Sequence, residues 1–132
     1  MIIIPIILAI VFIAVLALHA YKQYKLRVEK RIEQNEYDAA VTVWEYARVV
    51  KAQIDDALSV GTGAIDFSKI TVPHSNGYEM SLELIGTYFR VYAVPGKYGN
   101  SGRLSFTTDN TLTVRAGDHS GERALTEDPE YK

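Results

Sequence analysis

Every residue from Ile2 to Leu18 carries a hydrocarbon side chain, with Pro5 as the one imino acid among them, and Met1 to Tyr21 has no formal charge. Beyond Tyr21 the chain turns polar, yet neither glycine nor proline interrupts it before Gly61. One helix is therefore predicted to run through both regions. At about 1.5 Å per residue, roughly 58 residues give a rod of about 85 Å. From Ala40 the pattern becomes amphipathic: Ala40, Val43, Trp44, Ala47, Val50, Ile54, Ala57 and Leu58 recur at three- and four-residue steps. Those positions predict a helix–sheet packing stripe, with Trp44 as its largest anchor. Gly61-Thr62-Gly63 supplies a glycine C-cap.

After a linking loop at 61–77, the period changes from helical to two. Tyr78, Met80, Leu82 and Leu84 alternate with Glu79, Ser81 and Glu83, the pattern of a half-buried strand. Gly86-Thr87 predicts a two-residue hairpin turn. A second strand covers Tyr88 to Val94 and stops at Pro95-Gly96. Two further strands, Arg103 to Thr108 and Thr111 to Arg115, flank Asp109-Asn110 as a second hairpin. Residues 116–132 read as a polar, turn-like tail carrying Asp118, Glu122, Glu127 and Asp128.

The pattern therefore predicts an α+β fold: a long N-terminal helix packed on a four-stranded antiparallel sheet. Its segments are a membrane-spanning or filament-core helix half (1–21), an amphipathic half (22–60), the loop (61–77), the meander (78–115) and the tail (116–132). The stripe from Ala40 to Leu58 is the one helical face available to cover the sheet. The apolar half is left without a partner in its own domain, so lipid or other copies of the chain must bury it.

The chain has 132 residues and a net charge of −2, enough for one small domain and an anchor, with no overall nucleic-acid footprint. Cysteine is absent, which excludes disulfides and thiolate metal sites. Met1 to Tyr21 has the length of a membrane span, and no basic n-region or small-x-small cleavage site precedes the charges. Pro5 falls in the first turns, where its missing N–H removes little. Lys22, Lys25, Arg27, Lys30 and Arg31 follow within ten positions and form a phosphate-facing collar. If Met1 is the encoded start, that collar places the C-terminal domain in the cytoplasm; if a basic leader has been removed, the charge rule no longer applies.

Tyr88-Phe89-Arg90-Val91-Tyr92-Ala93-Val94-Pro95 ends a strand in Ala-x-Pro. Gly99 to Phe106 then reads Gly-x-x-Gly-x-x-Ser-Phe, Leu112-Thr113-Val114-Arg115 ends another strand in arginine, and Gly121 and Asp128-Pro129 follow. With the apolar and amphipathic helix halves before it, this ending resembles the type IV pilin and type II secretion pseudopilin class. The architecture spans the whole chain; the detailed likeness covers roughly its last 45 residues. The resemblance implies a bacterial structural subunit, inserted in the inner membrane before assembly and then part of an extracellular filament. Its partners are other copies of itself and a pilus assembly machinery, in the service of adhesion, motility, DNA uptake or secretion. It implies an N-terminus methylated after leader cleavage.

The residues that carry assembly are then Ile2, Ile3, Ile4, Pro5, Ile6, Ile7, Leu8, Ile10, Val11, Phe12, Ile13, Val15, Leu16 and Leu18. Burying about 1,000 Å² of such surface per subunit contributes roughly 25 kcal/mol before the entropy of association is subtracted. Two positions depart from the family pattern. Pro5 stands where processed pilins carry a glutamate, and Lys22 stands near the place of a helix-kinking proline. Pro5 and the basic collar favour the alternative: a single-span, inner-membrane binding module that does not polymerise.

No catalytic constellation is found, and an enzyme is not expected. His74 beside Ser75 has no acidic partner in any motif, and His19 sits at the end of the apolar segment. Residues 95–102 hold spaced glycines but lead into a strand, without the helix N-terminus that a phosphate loop needs. The tail's four acids have hard oxygens suited to calcium, yet their spacing matches no loop motif and a solvated tail is favoured. No cofactor, metal, small-molecule substrate or nucleic-acid partner is expected.

Overall fold

The computed structural model describes residues 2–61 and 71–132. Among the described residues there is one helix, α1 (Ile3–Ser59), and one sheet of four strands: β1 (Tyr78–Ile85), β2 (Tyr88–Pro95), β3 (Leu104–Asp109) and β4 (Arg115–Asp118). The strands lie in chain order and every pair is antiparallel. This is the α+β arrangement that the two periodicities imply. Contacts divide the chain into two units, Met1–Arg31 and Ile32–Lys132, with α1 contributing to each.

In the second unit, the buried face of α1 comprises Ile32, Asn35, Ala39, Ala40, Val43, Tyr46, Ala47, Val50, Ile54 and Ala57. Ala39, Ala40 and Ala47 are its small members, and Val43, Tyr46 and Val50 its larger ones. They pack with Tyr78, Phe89, Val91, Ala93, Phe106 and Ala116. Trp44 corrects the sequence reading: it is 38% exposed, with the Arg48 guanidinium 5.0 Å above its ring. Position 44 lies about 100° around the helix from Val43, at the margin of the stripe. Leu58 is likewise exposed, while its neighbour Ala57 is buried.

Gly61 takes a φ of +72° just past the helix, and Val60 N–H donates to the Asp56 carbonyl. The remainder of the glycine cap, and most of the linking loop, fall at 62–70, outside the described residues. Gly86 has φ +62° while Thr87 stays in the ordinary region, the II′ pattern whose twist suits a hairpin, and Ile85 pairs directly with Tyr88.

The last strand differs from expectation. Residues 111–114 do not join the sheet; β4 begins at Arg115, the residue at which that expected strand ends, and Arg115 pairs with Thr107. Asp109 explains the shift. Its carboxylate accepts the Thr111 N–H (2.9 Å) and hydroxyl (2.6 Å), its carbonyl accepts Leu112 N–H, and Leu112 is held at φ +61°, which no strand allows. The chain needs residues 110–114 to turn before pairing resumes.

The tail is not simply solvated. Phe106 faces α1, so Ser105 and Thr107 face the other way, and both are buried. Ser105 Oγ donates to the Glu122 carbonyl, Arg115 to that of Asp128, and Arg123 stacks 4.4 Å over Tyr92. Residues 119–128 thus cover the outer face of the sheet. The chain then rounds the β4 edge: Ala116 N–H donates to Pro129 O, Tyr131 N–H to Val114 O, and Tyr131 meets Phe106 edge-on at 5.1 Å.

Candidate assembly and membrane surface

Within the first unit, the large apolar side chains from Ile2 to Leu18 are all exposed, between 51% and 78%. No face is spared, so the segment has none of the one-sidedness of a helix lying on its own domain. This is the one helix among the described residues long and apolar enough to cross a membrane. Pro5 lies in its first turn, where no intrahelical N–H bond is required. The helix continues without a break through Lys22, Lys25, Arg27, Lys30 and Arg31, all exposed. Tyr21 and Tyr24 are each 63% exposed beside them.

In the second unit, α1 is fastened to the start of β3. Asn35 Nδ2 donates to Ser101 O at 2.9 Å, and Glu36 Oε2 accepts the N–H groups of Leu104 (2.8 Å) and Arg103 (3.2 Å). Tyr78, buried beneath, donates its hydroxyl to Leu104 O at 2.7 Å. Burial, with the nearby Glu36 charge adding to it, pushes the Tyr78 hydroxyl well above its ordinary pKa. Gly102 is required here, because a Cβ would lie 2.1 Å from that hydroxyl. Sequence reading missed Asn35 and Glu36, whose partners lie 66 to 68 residues away.

Beside Trp44 a surface groove of about 410 Å³ is lined by Tyr37, Ala40, Val41, Val114 and Tyr131. His74 and Ser75 line a separate, more polar groove with Asp38 and Thr42. The spaced glycines at 95–102 turn their polar groups inward. Gly96 N–H donates to Gly77 O, Gly99 N–H to Gly102 O, and the Lys97 carbonyl accepts Asn100 N–H, Ser101 N–H and Ser101 Oγ.

The tail's acids are not gathered. Asp118 takes the Tyr98 hydroxyl on both oxygens (2.8 and 2.9 Å), a contact that lowers its pKa and raises that of Tyr98. Asp128 faces His119 and Leu125 instead. Among the described residues no three His, Asp or Glu side chains converge on a cation position.

Searches of protein-family models, curated proteins and solved structures each returned no match. The fold and this surface define a class: a small α+β domain on a long helix whose first part is apolar enough for a membrane.

Proposed function

We propose that the chain is a structural subunit of a type IV pilus-like or pseudopilus filament, held in the inner membrane before assembly and bundled through residues 2–18 afterwards. The observation that carries this reading is the uniform exposure of those side chains on a helix continuous with a folded α+β domain. Lipid covers such a surface one molecule at a time. Identical neighbouring helices cover it with a repeating protein core.

The experiment is native gel analysis of the full chain in cells carrying a pilus assembly machinery, beside the variant Ile10→Lys. The wild type is expected to form high-mass polymer. The variant is expected to stay monomeric with an unchanged circular dichroism spectrum, since position 10 lies outside the domain core. A wild-type chain that remains monomeric in the membrane fraction overturns the reading.

Pro5 and the basic collar support a second reading, a single-span anchored module that does not polymerise. It predicts a cytoplasmic sheet domain, spared when protease is added to intact cells; the filament reading predicts digestion or surface labelling.

A further inference from the structure

We infer that the collar at Lys22, Lys25, Arg27 and Lys30 is a binding surface for anionic phospholipid headgroups, selecting them over zwitterionic ones around the membrane-held subunit. The inference rests on the membrane stage of the proposed function and adds the identity of the lipid.

Three observations carry it. First, α1 is regular helix through this stretch and all four side chains are exposed. At about 100° per residue they leave the axis in four directions, no two closer than about 60°. A binding face for one protein partner is one-sided, whereas these cations spread over an arc of about 200°. A surface of lipids around a helix meets the whole of such an arc.

Second, the axial spacing fits. Lys22 to Arg27 rise about 7.5 Å, close to the depth of one headgroup layer, and Lys30 lies within a Debye length beyond it. The exposed Tyr21 and Tyr24 mark the same boundary. Third, the charge is lopsided. Glu29 is the one acid between Met1 and Ile32, so the stretch is strongly cationic within a chain of net charge −2. The acids that balance it lie further along. A cationic arc at the end of an apolar segment attracts phosphate charge that no zwitterionic lipid supplies net.

The test uses the full chain in vesicles, with Trp44→Phe removing the native indole and Tyr21→Trp placing one at the collar. Quenching by brominated phosphatidylglycerol is compared with quenching by brominated phosphatidylcholine. The expected result is about fivefold stronger association with the anionic lipid, falling toward parity in 1 M salt. The quadruple variant K22Q/K25Q/R27Q/K30Q on the same reporter is expected to show no preference while still being quenched. Equal quenching by both lipids without the charge variant overturns the inference and leaves the membrane reading standing. Absence of quenching by either lipid overturns both. Brominated lipid against a reporter at Tyr24→Trp gives a second readout should Tyr21→Trp prevent insertion.

Discussion

His119 Nε2 lies 2.6 Å from Asp128 Oδ2 and closes a ten-residue loop of the tail over the outer face of the sheet. Gly117 makes this closure possible, since a Cβ there would come within 2.7 Å of both partners. The same carboxylate oxygen accepts the Leu125 N–H at 2.7 Å. The Asp128 carboxylate thus ties this loop together, beside the buried Ala124 and the Arg123–Tyr92 stack.

A pH dependence follows. Burial disfavours the Asp128 charge, but the Leu125 N–H, the His119 hydrogen bond and the His119 charge outweigh it and hold the carboxyl below its usual range. A carboxyl with a lowered folded-state pKa stabilises fully above its unfolded value of about 3.9, and that stabilisation is lost as pH falls through the folded value. Hydrogen exchange of the Leu125 amide should therefore be slow near pH 5, after correction for intrinsic rates. It should accelerate in stronger acid. Asp128→Asn should show fast exchange at every pH; protection unchanged in that variant would contradict the role of the carboxylate.

Glu36 makes a similar test at the other side of the sheet. Glu36→Ala leaves the N–H groups of Arg103 and Leu104 without their acceptor, at a cost of about 1.5–3 kcal/mol. Thermal unfolding of the full chain in detergent should register the loss. A change below about 0.5 kcal/mol would show that solvent replaces the carboxylate freely.

The contact of Gly102 with Tyr78 predicts a strongly non-additive pair. Gly102→Ala drives a methyl into the Tyr78 ring and should cost about 2–4 kcal/mol, including the bond to Leu104 O. In a Tyr78→Ala background the ring is gone, and the added methyl should cost under about 1 kcal/mol. Additive costs in the double variant would contradict the clash.

Trp44 and Tyr46 reverse the ranking that the sequence suggests. Trp44→Ala should cost no more than about 1 kcal/mol, since the ring is partly exposed and its stacking with Arg48 is a surface contact. Tyr46→Ala should cost about 3 kcal/mol or more. Tyr46→Phe should be neutral or stabilise by up to about 1 kcal/mol, because the buried hydroxyl has no hydrogen-bond partner among the described residues and burial alone raises its pKa. Chemical denaturation of the three variants orders them; a Trp44→Ala loss exceeding that of Tyr46→Ala would overturn the assignment of the core.

The elements themselves were legible because their signals are local. A glycine-free run announces α1, strict alternation announces β1, and Gly86-Thr87 announces the first hairpin. Trp44 misled because spacing defines the width of an apolar stripe but not its centre; that is set by where the sheet lies. Asn35 and Glu36 were missed for a different reason. Their partners are backbone groups brought close only by the finished fold, and nothing adjacent in sequence marks them; Asp128 was named as a tail acid, but its contact with His119 was not. The second hairpin was misplaced because Asp109 organises a longer turn through its side chain, which an Asp-Asn pair alone does not reveal. The apolar surface of residues 2–18 was legible by composition, but composition is equally satisfied by lipid and by neighbouring helices.

The most direct measurement is therefore electron microscopy of material sheared from the native cells, with mass spectrometry of the purified filaments. The account predicts thin filaments that contain this chain as a repeating component, the residues 2–18 inaccessible to labelling and the sheet domain accessible. Finding the chain wholly in the membrane pellet as a monomer, with none in the sheared fraction, would contradict it.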